Sequence, residues 1–271
     1  ASPRPTPSVT TELSAVYAPP IIEPVVADGN QTDIRYIDAI TAALHEQMSS
    51  EPRTILMGQD IAEYGGAFKI TDGFLSTFGA DRVRNTPIIE SGAIGCALGL
   101  ALAGYKPMIE MQFADFISCG FNQIVNNLAK THYRWGTPCP VVIRAPYGGG
   151  MGAGPFHSQC IESWFTSVAG LRVVAPATPA DAKGLLKSAF ADQNPVLFLE
   201  HKKLYRSCSG PVPDAAYSIP FGEAAIARPG RDLSIITYSL GVHWALSAAE
   251  QFVERGIEIE VVDLRSLSPW D

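Results

Sequence analysis

The sequence has no run of basic residues. Only 17% of its 271 residues are charged and the formal net charge is −7. The clustered Lys and Arg that grip a phosphate backbone or an anionic lipid surface are therefore missing, and neither nucleic acid nor a membrane is expected as the main partner. A cysteine framework is missing too. Cys96, Cys119, Cys139, Cys160 and Cys208 are odd in number and form no C-x-x-C pair, which argues against disulfides or a structural zinc site and fits a reducing compartment. The longest apolar stretch, residues 93–103, is broken by Gly95 and Gly99 and is far short of the roughly 18 residues a membrane span needs. Neither a charged leader with an apolar core nor an Arg-rich presequence opens the chain, so the expectation is cytoplasm, or the mitochondrial matrix for a processed eukaryotic form. What is present, 46% hydrophobic residues, suits an α/β protein of one large domain or one and a half.

Residues 1–32 hold six prolines in their first thirty positions and show no helical period, which reads as an extended tail or linker laid over a neighbour. From Asp33 the pattern alternates. Helical periodicity over "IDAITAALHEQMSS", "FNQIVNNLAKTHYRW" and "PADAKGLLKSAFAD" separates short β-branched runs at "TILMG", "PMIEM", "PVVIRAP", "LRVVAP" and "PVLFLEH". This predicts a parallel sheet covered by helices on both faces over residues 33–201. A Pro- and Ser-rich linker is expected over 202–220, and residues 221–271 read as the start of a second α/β domain, apparently incomplete because one βαβ unit is too small for its own core.

One carboxylate stands out. In "NTPIIESGAIGCALGLALAG", Glu90 precedes a run that is apolar on every face and so reads as a buried helix. Gly95 and Gly99 share one face of it, where a neighbouring helix or subunit can approach closely. Glu90 reads either as an aid to the helix N-terminus or as a chemical group, since a carboxylate entering an apolar site pays desolvation and suits proton exchange. The loop "YGGGMGAGPFHSQ" ends in His157. Its glycines match a dinucleotide fingerprint only loosely, with no acidic residue placed for a ribose and no Gly-Lys-Ser/Thr of a phosphate loop. The better reading is a flexible loop presenting His157 at the carboxyl end of a parallel strand. His157 and Cys160 have the spacing of metal ligands but no second pair, and Ser158 beside His157 is no triad signal. Phe113, Phe116 and Phe121 surround a strand-to-helix turn, where one ring can face a planar ligand.

Five blocks in order, "MGQDIAEYGGAFKITDG", "NTPIIESGAIGCALGLALAG", "MQFADFISCGFNQIVNNLAKTHYRWG", "APYGGGMGAGPFHSQ" and "ADQNPVLFLEHKKLYR", resemble the beta subunit of the thiamine-diphosphate-dependent 2-oxo acid dehydrogenases, with a transketolase-like fold. The likeness covers nearly all of residues 33–271. It implies that Glu90 hydrogen-bonds the aminopyrimidine ring of thiamine diphosphate and promotes proton loss at the thiazolium carbon. It implies further that Phe116 packs on that ring with Gln112 nearby, and that His157 faces the reacting carbon. It also implies a structural K⁺ site built largely from main-chain oxygens of Val141, Ala189, Phe190, Asp192 and Asn194. No GDG motif occurs. The Mg²⁺-diphosphate half of the cofactor site is thereby expected on an alpha subunit, in an α2β2 assembly with a beta–beta contact, and a lipoyl-bearing acyltransferase core is a further expected partner.

The expected activity is oxidative decarboxylation of a 2-oxo acid with acyl transfer to lipoamide. "EHKKLYR" and "NQIVN" look more like branched-chain members, so 2-oxoisovalerate is favoured and pyruvate is next. An acetoin dehydrogenase beta subunit is one alternative, and a truncated non-catalytic assembly subunit is another. Retention of Glu90, Phe116 and His157 together argues against a scaffold.

Overall fold

The structure, a computed structural model, describes residues 8–19 and 29–271. Most of the prolines of the expected tail lie outside the described residues. Its described part is not all extended: Ser8 caps helix α1 (Val9–Ser14) by accepting from Thr11 N–H at 3.2 Å. Tyr17 stacks under Arg172 of its own chain, and Ala18 exchanges backbone hydrogen bonds with the Asn194 side chain at 2.7 and 3.1 Å.

The elements then run β1 (Gln31–Arg35), α2 (Tyr36–Ser50), β2 (Thr54–Gly58), α3 (Phe74–Phe78), β3 (Val83–Asn85), α4 (Glu90–Leu102), β4 (Lys106–Glu110), α5 (Ala129–Trp135), β5 (Val142–Tyr147), β6 (Arg172–Val174), α6 (Pro179–Ala191) and β7 (Val196–His201). After these come α7 (Leu204–Ser207), β8 (Ser209–Pro213), β9 (Ala225–Arg228), β10 (Leu233–Thr237), α8 (Leu240–Val253), β11 (Ile259–Asp263) and β12 (Ser266–Ser268). The central sheet has the order β12-β6-β7-β5-β4-β2-β3, and all its pairs are parallel except that of β12 with β6. Strands β2, β5 and β7 are buried along their whole length, as a sheet covered on both faces requires. One face packs Tyr36, Ile40 and Leu44 of α2 against Leu185 and Leu186 of α6; the other packs Ile94 and Ala97 of α4 against Ile109, Ile143 and Leu197. Each fully buried aliphatic side chain here contributes about 1.5–3 kcal/mol.

The structure departs from expectation in three further places. The stretch 202–220 is built in as well as connecting: α7 packs on the first core face through Leu204 and Tyr205, and β8 pairs antiparallel with β1. The helix expected over 121–135 is not uniform. A 3₁₀ segment (Ala114–Gly120) leads to a wider π segment (Gln123–Leu128) before α5, with Asn127 Nδ2 donating to Gln123 Oε1 at 2.6 Å along it. Helix α4 is not buried all round. Ala93, Ile94, Ala97 and Ala101 face the sheet, whereas Cys96, Gly99 and Leu102 are exposed because no described element covers that side. Gly95 has ordinary contact room beside Gln123, and Gly99 faces open space.

Beyond Pro220, β10 and β11 are parallel, β9 joins β11 antiparallel, and α8 covers this small sheet through Val242, Ala245 and Ala249. Strand β12 leaves it to edge the central sheet beside β6.

Candidate functional site

Parallel sheets bind ligands at the carboxyl ends of their strands. Here the ends of β2, β4, β5 and β7 are followed by Gln59-Asp60, Met111-Gln112-Phe113, the Gly148–Gly154 loop and Lys202. Gln59 Nε2 donates to Glu90 Oε1 at 3.0 Å, and Gln112 Nε2 donates to Asp60 Oδ2 at 3.5 Å. Two consecutive residues at one strand end thus tie the start of α4 to the end of β4. Asp60 takes a left-handed backbone, φ 57°, at this sharp turn, a conformation Asp adopts more readily than most residues.

Glu90 is the first residue of α4. Ile89 occupies the cap position and no side chain caps the helix, so Glu90 does not serve as a cap, although it lies where the helix dipole favours a carboxylate. Among the described residues its Oε1 takes the Gln59 bond and Oε2 takes none. The 3₁₀ segment carrying Phe116 rests directly on this first turn. A Cβ on Gly120 would meet the tip of Ile94, which would have to shift, and would lie in ordinary contact with the Glu90 backbone.

His157 meets two rings edge-on: Phe113 at 4.7 Å between centroids and 88°, and Phe116 at 5.4 Å and 90°. Phe113 and Phe116 are themselves 6.2 Å apart, so the three rings form one cluster in the geometry aromatic quadrupoles prefer. The loop leading to His157 has left-handed glycines at 148, 150, 152 and 154, and Met151 and Phe156 on it are exposed. Its ends close through Gly148 N–H to Gln159 O at 3.0 Å. Asp115 Oδ1 holds the far side, accepting from Ser158 N–H at 3.1 Å and Gln159 N–H at 3.0 Å.

Beneath the loop, burial pushes the His201 imidazole down to about 4, helped by the neighbouring Lys202 and Lys203 charges, so it stays neutral near pH 7. Burial also pushes the Lys202 ammonium down, against the opposing pull of Asp115. Deeper still, Arg144 is wholly buried. Its Nη1 donates to Glu110 Oε2 at 2.7 Å, while Nε and Nη2 clamp Glu200 at 2.6 and 2.7 Å. Tyr205 Oη donates to Glu200 at 2.6 Å. Burial raises Glu110 above the usual carboxylate range despite the Arg144 charge beside it.

Glu90, Gln112, Phe116 and His157 therefore gather at one end of the sheet. Val141, Ala189, Phe190, Asp192 and Asn194 lie at the other, where β5 and β7 begin and α6 ends. There Val141 O accepts from Val196 N–H, Phe190 O accepts from Lys106 Nζ at 3.3 Å, and the Asp192 carboxylate takes Arg172 Nε at 2.9 Å and Asn194.

Residues 32–207 match the transketolase pyrimidine-binding domain family, and residues 222–271 match the transketolase C-terminal domain. The chain is 48% identical over 240 residues to the 2-oxoisovalerate dehydrogenase subunit beta of Bacillus subtilis, covering 87% of this chain and 73% of that protein. The chain belongs to the 2-oxo acid dehydrogenase beta-subunit family. The pyruvate dehydrogenase E1 component subunit beta of the same bacterium is 45% identical over 87% of this chain and 73% of its own length. The acetoin:2,6-dichlorophenolindophenol oxidoreductase subunit beta of Cupriavidus necator is 46% identical over 86% and 72%. A solved split-gene transketolase, an inactive beta4 tetramer, shares the fold with a TM-score of 0.72 over 90% of this chain and 73% of its own at 24% identity. No helix among the described residues of this beta-subunit relative is long and apolar enough to cross a membrane.

Sequence reasoning missed Gln59, Asp115, His201 and Lys202. Asp115 in "FADF" and Lys202 after an apolar strand are charges in otherwise apolar surroundings, a signal for a buried partner that the sequence does not identify.

Proposed function

We propose that the chain is the beta subunit of an enzyme that decarboxylates a 2-oxo acid on thiamine diphosphate and passes the acyl group to lipoamide, with 2-oxoisovalerate the favoured substrate and pyruvate next. The observation that carries this reading is the arrangement of His157, set edge-on against Phe113 and Phe116, beside a helix whose first residue, Glu90, keeps one carboxylate oxygen open. Those residues fit a flat aminopyrimidine. Glu90 Oε2 is free to share a carboxyl proton with a ring nitrogen while Gln59 fixes the other oxygen, and Phe116 offers an aromatic surface with Gln112 at its side. Thiamine diphosphate, when bound, supplies the electron sink for loss of CO₂. His157 orients the substrate and exchanges a proton at the reacting oxygen, and its phenyl neighbours keep water from that side.

The diphosphate half of the site belongs to an alpha subunit in this reading. The chain has no GDG motif, and among the described residues no three His, Cys, Asp or Glu side chains are placed to hold a metal ion, so Mg²⁺ is assigned to the partner. The uncovered side of α4, with Leu102 54% exposed, and nearby Ile88 at 84% supply apolar surface for α2β2 assembly. A lipoyl-bearing acyltransferase core is the proposed acceptor.

We also keep the potassium site as a proposal. Free carbonyls at the end of α6 carry the negative pole of the helix dipole and suit a hard cation, with Lys106 Nζ a competitor on Phe190 O. A melting temperature that rises when Na⁺ is replaced by K⁺ supports the site, and an identical one refutes it.

The test of function is to purify the chain with its alpha partner and compare 2-oxoisovalerate, pyruvate and acetoin in dye-linked oxidation. The highest kcat/KM with 2-oxoisovalerate supports the proposal. Preference for acetoin moves the assignment to the acetoin enzymes, and a cofactor-loaded assembly that turns over none of the three contradicts it.

A further inference from the structure

Two buried, opposite charges near His157 have unmet bonding capacity. Asp115 Oδ2 and Lys202 Nζ are both shielded from solvent, and neither has a hydrogen-bond partner among the described residues. Asp115 is 5% exposed and Lys202 is 3% exposed. Lone buried charges of this kind are costly and rarely persist without each other. Each also touches one side of the His157 setting. Asp115 uses its other oxygen, Oδ1, to hold Ser158 N–H and Gln159 N–H, the two residues directly after His157. Lys202 Nζ lies 5.6 Å from the centroid of the Phe113 ring, whose edge contact with His157 is the shorter of the two. The loop between has four glycines in the left-handed region.

We propose that Lys202 and Asp115 are a buried positioning pair that fixes His157, Lys202 bracing the Phe113 wall while the Asp115 carboxylate pins the loop at residues 158 and 159. Lys202 is a positioning residue: it acts through Phe113 and Asp115, and it does not touch substrate. The attraction of opposite charges couples the two, and a carboxylate makes a stronger bond to a backbone N–H than a neutral acceptor does. The catalytic consequence rests on the function proposed above. The positional claim does not, because it concerns two amides of this chain alone.

Amide hydrogen exchange at Ser158 and Gln159 is the direct readout, made on the full chain in its assembly with and without thiamine diphosphate. Lys202→Met is expected to speed exchange at these two amides by about tenfold or more, the change expected when a charge-assisted hydrogen bond weakens, with strand amides such as Ile143 unchanged. Lys202→Arg, which keeps the charge, is expected to restore protection. Asp115→Asn keeps an acceptor of the same shape and loses the charge; it should mimic Lys202→Met, and the double variant should be no worse than either. In turnover, Lys202→Met should lower kcat for lipoyl acylation and leave the affinity for thiamine diphosphate within about twofold of the parent. Unchanged exchange at 158 and 159 in both single variants, or additive effects in the double, overturns the pair. If Lys202→Met fails to fold, Asp115→Asn decides alone: unchanged exchange at the two amides refutes the proposal. An assembly that shows coupled exchange but no 2-oxo acid turnover refutes the functional reading and leaves the pair standing.

Discussion

Replacing Arg144 with Met should cost more stability than any surface change in this chain, and the cost should depend on pH. Arg144 sits at 0% exposure with hydrogen bonds of 2.6–2.7 Å to Glu110 and Glu200, which are 4% and 0% exposed. Removing the cation leaves a buried carboxylate on each flank of β5 without compensation, and breaking a buried pair in this way costs about 3–5 kcal/mol. That is a large share of the roughly 5–15 kcal/mol that holds a domain folded. Burial already raises the Glu110 carboxyl, and Arg144 is the main influence pulling it down. Without Arg144 it rises further. A carboxyl raised in the folded state binds a proton there that the unfolded chain releases, so its folded form is favoured at low pH and loses ground as pH rises through the folded value. Each extra proton held by the folded variant recovers about 1.4 kcal/mol per pH unit on acidification. Urea melts followed by circular dichroism at about pH 8 and pH 6 should therefore show the full deficit at the higher pH and a smaller one at the lower. A deficit under about 1 kcal/mol, or one equal at both pH values, refutes the reasoning. Adding Glu110→Gln to Arg144→Met should recover part of the loss at the higher pH, because one of the two stranded charges is gone.

Gly148→Ala should loosen the His157 loop, since φ is 82° there and the new Cβ would strike the His201 ring. The expected loss is about 1–3 kcal/mol in thermal or urea unfolding, with part regained in Gly148→Ala/His201→Ala; a neutral single variant contradicts the packing described. His157→Ala should lower lipoyl acylation by about 100-fold or more while thiamine diphosphate still binds, as judged by calorimetry of the assembly. Unchanged overall turnover would remove His157 from the chemistry.

Much of the sheet was legible because its strands carry their own signal. "TILMG", "PVVIRAP" and "PVLFLEH" are short β-branched runs between helical periods, and they became β2, β5 and β7 within a residue or two. Strand β1 was not legible. "QTDIR" is mostly polar and exposed, and its partner β8 lies far along the chain, so only tertiary pairing makes it a strand. One readable clue was passed over. Glu110, Arg144 and Glu200 each interrupt an apolar strand, and charges in a doubly covered sheet must find each other; Glu110 and Arg144 indeed sit opposite in register. The exposure of half of α4 was beyond sequence reasoning, because composition shows that a helix is apolar without showing what covers it.

Motif resemblance pointed to Glu90, Phe116 and His157, which the structure gathers at one end of the sheet, and it did not point to Gln59, Asp115 and Lys202, which lie around them. The second group acts on the first through space, across separations of 31 residues for Gln59 with Glu90 and 43 for Asp115 with Ser158. No local period or spacing encodes such contacts.

The central claim is that Glu90 governs proton exchange at the reactive carbon of thiamine diphosphate. The most direct test is deuterium exchange at that carbon, followed by quenched-flow NMR in the assembly with the alpha subunit, comparing the parent with Glu90→Gln. The account predicts that exchange slows by about 100-fold or more while cofactor binding and native mass are kept, because Gln preserves the shape and the Gln59 contact but cannot pass a proton to the ring nitrogen. Near-parental exchange in a cofactor-loaded Glu90→Gln assembly would contradict it.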